Sequence, residues 1–117
     1  MLKLKVLSAI LFVSLFSSVA ISNECQIAGV WNHSEKPAKL FIDLSTAEML
    51  VQSHELNPKA IGLVVLKSLK LSSVTNSWKA KMYSAAEDSF VDVQLTTEGC
   101  NKLNVSFNGE EVLGLLR

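Results

Sequence analysis

Apolar and polar residues alternate along most of this chain with a period of two. In Ala38 to Leu44, Leu40, Ile42 and Leu44 fall on one face and Lys39 and Asp43 on the other. Met49 and Val51 alternate with Glu48 and Gln52, and Trp78, Ala80 and Met82 oppose Lys79 and Lys81. Val91, Val93 and Leu95 alternate with Asp92 and Gln94, and Leu103, Val105 and Phe107 with Lys102, Asn104 and Ser106. Successive side chains of a strand point to opposite faces, so the pattern predicts strands dry on one face and wet on the other, as in antiparallel sheet. The connections agree. Asn108-Gly109 lies between two strand-like runs, and both residues suit the positive φ of a tight hairpin. Glu98-Gly99, Leu44 to Ala47 and Ser84 to Asp88 read as further turns, and Pro37 and Pro58 sit in polar loops.

One segment has an ambiguous period. In Gly62 to Leu71, Leu63, Leu66 and Leu69 fit a helical stripe while Val64-Val65 favours a strand. A strand that bends or ends in a short helical turn satisfies both. Eight strands are then predicted, at about 27–32, 38–44, 47–53, 62–70, 77–84, 89–96, 101–107 and 110–116. Short strands at even spacing suggest a sandwich or a barrel, and closure into a barrel removes exposed edges. The expected fold is all-β: a small antiparallel up-and-down barrel of about eight strands. Its interior would be lined by Leu40, Ile42, Met49, Val51, Trp78, Met82, Val93 and Val105.

The first residues change the compartment. Lys3 and Lys5 precede the apolar run Val6 to Phe16, and Ser18-Val19-Ala20 supplies small residues before a cleavage point. At 11 residues the run is short of the roughly 20 that a membrane-spanning helix needs. Residues 1–20 therefore read as a secretory signal peptide cut after Ala20 or Ser22, followed by an N-terminal segment at 21–26 and the barrel at 27–117. Cys25 follows Asn23-Glu24 rather than small residues, which argues against a lipid anchor. The expectation is an exported monomer, periplasmic or extracellular, with no membrane anchor after cleavage.

Export bears on the cysteines. Cys25 and Cys100 are the only two, and an even count in an oxidising compartment reads as one disulfide. Seventy-four residues lie between them, so closure of that loop would contribute on the order of 4 kcal/mol in the chain-entropy model. Two free buried thiols are the alternative. A zinc site has little support, with two histidines and no Cys-x-x-Cys. Charge excludes another class. Eleven basic and eleven acidic residues balance; losing Lys3 and Lys5 leaves nine against eleven, a charge of −2. No broad basic surface draws the chain to nucleic acid.

Gly29-Val30-Trp31 near the mature start, with Arg117 after the last strand, resembles the calycin (lipocalin-like) barrels. There a Gly-x-Trp on the first strand is covered by an arginine from the last strand or just after it. The resemblance implies that Gly29, Trp31 and Arg117 close one end of the barrel, with the guanidinium stacked on the indole. The order Gly62 to Leu69, Trp78, Lys81-Met82-Tyr83, Val91 to Leu95 and Lys102 to Val105 resembles the small exported bacterial family catalogued as domain of unknown function 2147. The family's Asp-Pro-x-x-Gly turn is here Ser84-Ala85-Ala86-Glu87-Asp88, and Leu115-Leu116 stands where a Trp precedes the final Arg. The resemblance implies fold and export, and no established activity.

The residues themselves offer little catalysis. His33 and His54 lie in polar stretches and read as solvated loop histidines. No His-x-His, His-Glu-x-x-His or Gly-x-Ser-x-Gly pattern occurs. Glu87-Asp88 and Glu110-Glu111 are adjacent pairs, which a strand splits between its two faces. Lys67, Lys70, Lys79 and Lys81 are read as solubilising, with a docking patch for an acidic partner as the sharper alternative. The expected function is a non-enzymatic binding module, without metal or cofactor, for a small apolar ligand or a protein partner. The alternative is an exported inhibitor that enters a hydrolase cleft with Ser22 to Glu24, or with the loops His33–Ala38 and His54–Ala60.

Overall fold

The computed structural model describes residues 25–117. The expected signal peptide, its cleavage point and the segment Ser22 to Glu24 lie outside the described residues. Eight strands follow in chain order: β1 (Gly29–His33), β2 (Ala38–Asp43), β3 (Glu48–His54), β4 (Val64–Leu71), β5 (Ser77–Ser84), β6 (Ser89–Glu98), β7 (Lys102–Phe107) and β8 (Glu110–Leu116). Each pairs antiparallel with its neighbours in sequence, and β8 returns to β1, so the sheet closes into an up-and-down barrel. The fold is the all-β barrel that the alternation predicts. β1 begins two residues later than expected, yet Ile27 before it is wholly buried in the core.

The alternation sets the inside from the outside. On β2, Ala38, Leu40 and Ile42 are buried while Lys39 and Phe41 face out. On β6, Val93 and Leu95 are buried while Asp92, Gln94 and Thr96 are exposed. Turn-favouring residues reverse the chain at several of the connections. Asn108 and Gly109 both take positive φ, at 52° and 84°, which is the backbone of the tight turn that Asn-Gly favours. Asn76 and Asp88 take the same region at two other hairpins, and both residue types tolerate it better than most.

β4 resolves the ambiguous segment. It is a strand from Val64 with a register shift between Lys67 and Lys70, and Ser68 there has φ 56°. One extra residue in the ladder puts Leu66 and Leu69, three apart, on the same inner face. The short helical turn lies before the strand, at Pro58–Ala60, and Leu63 is exposed.

The closing seam is a short ladder, as is that between β3 and β4. β1 and β8 pair only at Asn32–Leu116 and His33–Leu115. A bond from the Ser34 N–H to the Gly114 carbonyl continues it by one residue.

Candidate functional site

The barrel interior is a packed core. Leu40, Ile42, Met49, Val93 and Val105 are buried in it, and Val51, Trp78 and Met82 are partly buried and pack against it. Trp31, Leu66, Leu95, Leu103 and Leu115 belong to the same continuous cluster, with Ile27, Leu69, Ala80 and Leu113. The eight residues expected to line the interior thus meet one another and these neighbours. Two concavities among the described residues are grooves that open to solvent on the outer surface.

The end of the barrel near Ile27 is tied shut. Trp31 is fully buried, and its Nε1 donates to the Ile27 carbonyl at 2.9 Å. Arg117 lies over the indole, its guanidinium carbon 4.0 Å from the ring centroid. The same guanidinium donates to the carbonyls of Cys100, Ala28 and Gln26. Cys25 and Cys100 meet at disulfide distance, with their Cα atoms 5.3 Å apart. The disulfide joins the stretch before β1 to the turn between β6 and β7, and Arg117, beyond β8, bonds carbonyls of both while it stacks on Trp31 of β1. Gly29 enters β1 at φ 109°. A Cβ there would touch nothing, so the position selects glycine for its backbone alone.

The opposite end is built of loops. His33 closes β1 and His54 closes β3, so both histidines end strands rather than float in loops. His33 Nδ1 accepts the backbone N–H groups of Glu35 and Lys36, and His54 Nδ1 accepts that of Leu56. Partial burial, then the nearby Lys36 charge, hold the His33 pKa below its usual 6.5; Glu35 opposes them and His54 adds to them. The histidines act as turn caps, not as a catalytic pair. The connection from β3 to β4 is tied to its surroundings by backbone hydrogen bonds. Gly62 N–H bonds to Val51 O, Val51 N–H to Leu63 O, and Glu55 N–H to Pro37 O in the neighbouring loop. Ala60 is buried beneath it, while Leu56 (79%), Ile61 (54%) and Leu63 (59%) stand out to solvent.

Two further features lie on the barrel wall. Val30, Phe41, Leu50 and Val64 are cross-strand partners in turn across β1 to β4, which makes an apolar row on the outer face. On β4 and β5, Lys67 stands opposite Lys81 and Lys70 opposite Lys79. Lys81 bonds Asp92 of β6 at 2.6 Å, and Lys67 lies 4.0 Å from the centroid of the Phe90 ring. Sequence reading set these lysines near one another along the chain but missed that they face one another in pairs. The available signal was the matched spacing of three in Leu66/Leu69 and Lys67/Lys70, which a single bulge explains.

Among the described residues no group of three or more His, Cys, Asp or Glu is placed to hold a metal ion, and no helix is long and apolar enough to cross a membrane. No family model matches the chain, no curated protein matches it, and no solved structure matches it.

Proposed function

We propose that this chain is an exported, non-enzymatic binding module of calycin-like architecture that engages a protein partner through the loops of its open end. The observation that carries this reading is the connection 55–63. It presents Leu56, Ile61 and Leu63 to solvent from a loop hydrogen-bonded to β3 and to its neighbour. Exposed apolar side chains on a loop tied to its scaffold are a common basis for recognition. The packed interior favours this outer surface over a small apolar ligand held inside the barrel.

Export rests on Lys3, Lys5, the run Val6 to Phe16 and the small residues before position 21. Membership in the family catalogued as domain of unknown function 2147 is the accompanying proposal. Gly29 and Trp31 on β1, with Arg117 beyond β8, are its support. A bacterial periplasmic or secreted monomer follows from it. The second reading, an inhibitor of an exported hydrolase, is favoured by the same loop, since a protruding apolar rim suits an enzyme cleft.

The test compares the immobilised protein with a Leu56→Asp/Leu63→Asp variant against an extract of exported proteins. A partner held by the first and released by the second is the expected result. Equal retention by both, or retention by neither, would overturn the reading. N-terminal sequencing of the exported product should begin at residue 21 or 23.

A further inference from the structure

Two consecutive like-charge pairs stand across one ladder, Lys67 opposite Lys81 and Lys70 opposite Lys79. Like charges placed opposite each other in a sheet weaken its pairing, so folding alone does not ask for this arrangement. It also depends on a specific backbone device. Residues three apart on a regular strand point to opposite faces. Lys67 and Lys70 share the outer face because the register shifts between them, with Ser68 held at φ 56°. Bulges re-aim side chains in this way and are frequent beside binding sites.

Counter-charge is scarce at this place. Asp92 is the one acidic residue lining the adjoining groove, and it is bonded to Lys81. Its carboxyl is held below the usual range by that bond and by the Lys81 charge, and then by the more distant charges of Lys70 and Lys79. Three ammonium groups therefore converge on one region. Lys67 turns to the Phe90 ring. Among the described residues, Lys70 and Lys79 have no ion-pair partner.

The groove beside them has a volume of about 560 Å³, within the range of small-molecule sites. Ser68, Ser106 and Asn108 also line it. Hydroxyl and amide groups can serve either phosphoryl oxygens or sugar hydroxyls, while lysine binds phosphate as a point charge.

We propose that this groove binds a compact, multiply charged phosphate ester, its phosphoryl oxygens held by Lys70 and Lys79 with Lys81 alongside, and its neutral part against Ser106 and Asn108. An extended polyanion fits less well. The chain has no net positive charge to attract a phosphate backbone. The neighbouring aromatics Tyr83 and Phe90 pack edge to face on each other at 5.7 Å instead of offering a stacking platform in the groove. The site goes beyond the open-end reading: it shares that end's Asn108-Gly109 turn but uses no residue of the connection 55–63.

The experiment titrates the ¹⁵N-labelled protein with glucose 1,6-bisphosphate and with inorganic pyrophosphate, followed by amide shifts. Lys70→Gln/Lys79→Gln is compared with Lys59→Gln/Lys102→Gln, which removes the same charge elsewhere. Saturable shifts confined to β4, β5 and the Ser106–Gly109 turn are expected. Affinity should fall at least about tenfold in the first variant, which loses two charge-assisted contacts, and stay near wild type in the second. The first variant relieves repulsion, so its melting temperature should not drop, which separates a lost site from a lost fold. Absence of saturation, or equal loss in both variants, overturns the proposal. So does binding seen only with a single-stranded oligonucleotide or with phosphatidylglycerol vesicles. Leu56→Asp/Leu63→Asp should leave phosphate binding intact, so the two readings fail independently.

Discussion

The two ends of the barrel use different means to hold their shape. The end near Ile27 is fastened across long stretches of sequence: Cys25 reaches Cys100, and Arg117 reaches Trp31, Gln26 and Ala28. The opposite end is fastened locally, by imidazoles that cap the next two or three residues and by loop bonds such as Gly62 to Val51. Long-range ties stabilise the whole domain, whereas local ties shape a surface without setting global stability. The fastened end exposes apolar side chains too, Leu44 and Val74 among them, but on short turns whose ends the long-range ties fix. The loop end can change its side chains at little cost to the fold.

Substitutions at the two ends should therefore differ sharply. Trp31→Ala removes the largest buried side chain of the fastened end and should cost about 3–5 kcal/mol in a denaturant titration. A loss below 1 kcal/mol would mean that the indole is dispensable. Replacing Cys25 and Cys100 with Ser together should cost about 2–4 kcal/mol, and wild-type protein in reductant should show the same loss. Arg117→Ala should cost about 1–2 kcal/mol, through its carbonyl bonds and the lost stacking. Arg117→Lys should recover only part of this, because an ammonium cannot span the same carbonyls in a plane.

At the loop end the effects shrink. His33 has a folded pKa below its unfolded value of 6.5, so the unfolded chain takes up the proton first as pH falls. Its contribution is complete above pH 6.5 and is lost as pH drops through the folded pKa. Protonation at Nδ1 also removes the acceptor for Glu35 and Lys36. Melting temperature should therefore decline gently from pH 7 to 5, and His33→Asn should flatten that slope. Leu56→Ser should change stability by no more than about 0.5 kcal/mol, because the side chain is mostly in water. A large loss there would show that the loop end bears on global stability after all.

The barrel was legible wherever a strand ran without interruption. Leu40 and Ile42, or Val93 and Leu95, declare their face because a closed sheet has one dry side and strict alternation follows. Asn108-Gly109 declared its hairpin because few other residue pairs accept that backbone. Alternation failed in β4, where the bulge at Ser68 converts a period of two into a spacing of three that imitates a helix. The same insertion hid the lysine pairs, since opposition across a ladder depends on register and not on position along the chain. His33 and His54 were misplaced into loops because a polar strand end carries no apolar mark. The outer row Val30, Phe41, Leu50 and Val64 was invisible too, because each member sits on a different strand.

The brief seam between β1 and β8 has a consequence for how the molecule assembles. Its partners come from opposite extremes of the described chain, and contacts so distant in sequence form slowly. The cylinder should zip from its interior hairpins and meet along this line at the last step. Cys25 and Cys100, 75 positions apart, then act as a latch thrown after the door has closed. Reduced protein should breathe along that line, exchanging the amide hydrogens of β1 well before those of β5 and β6.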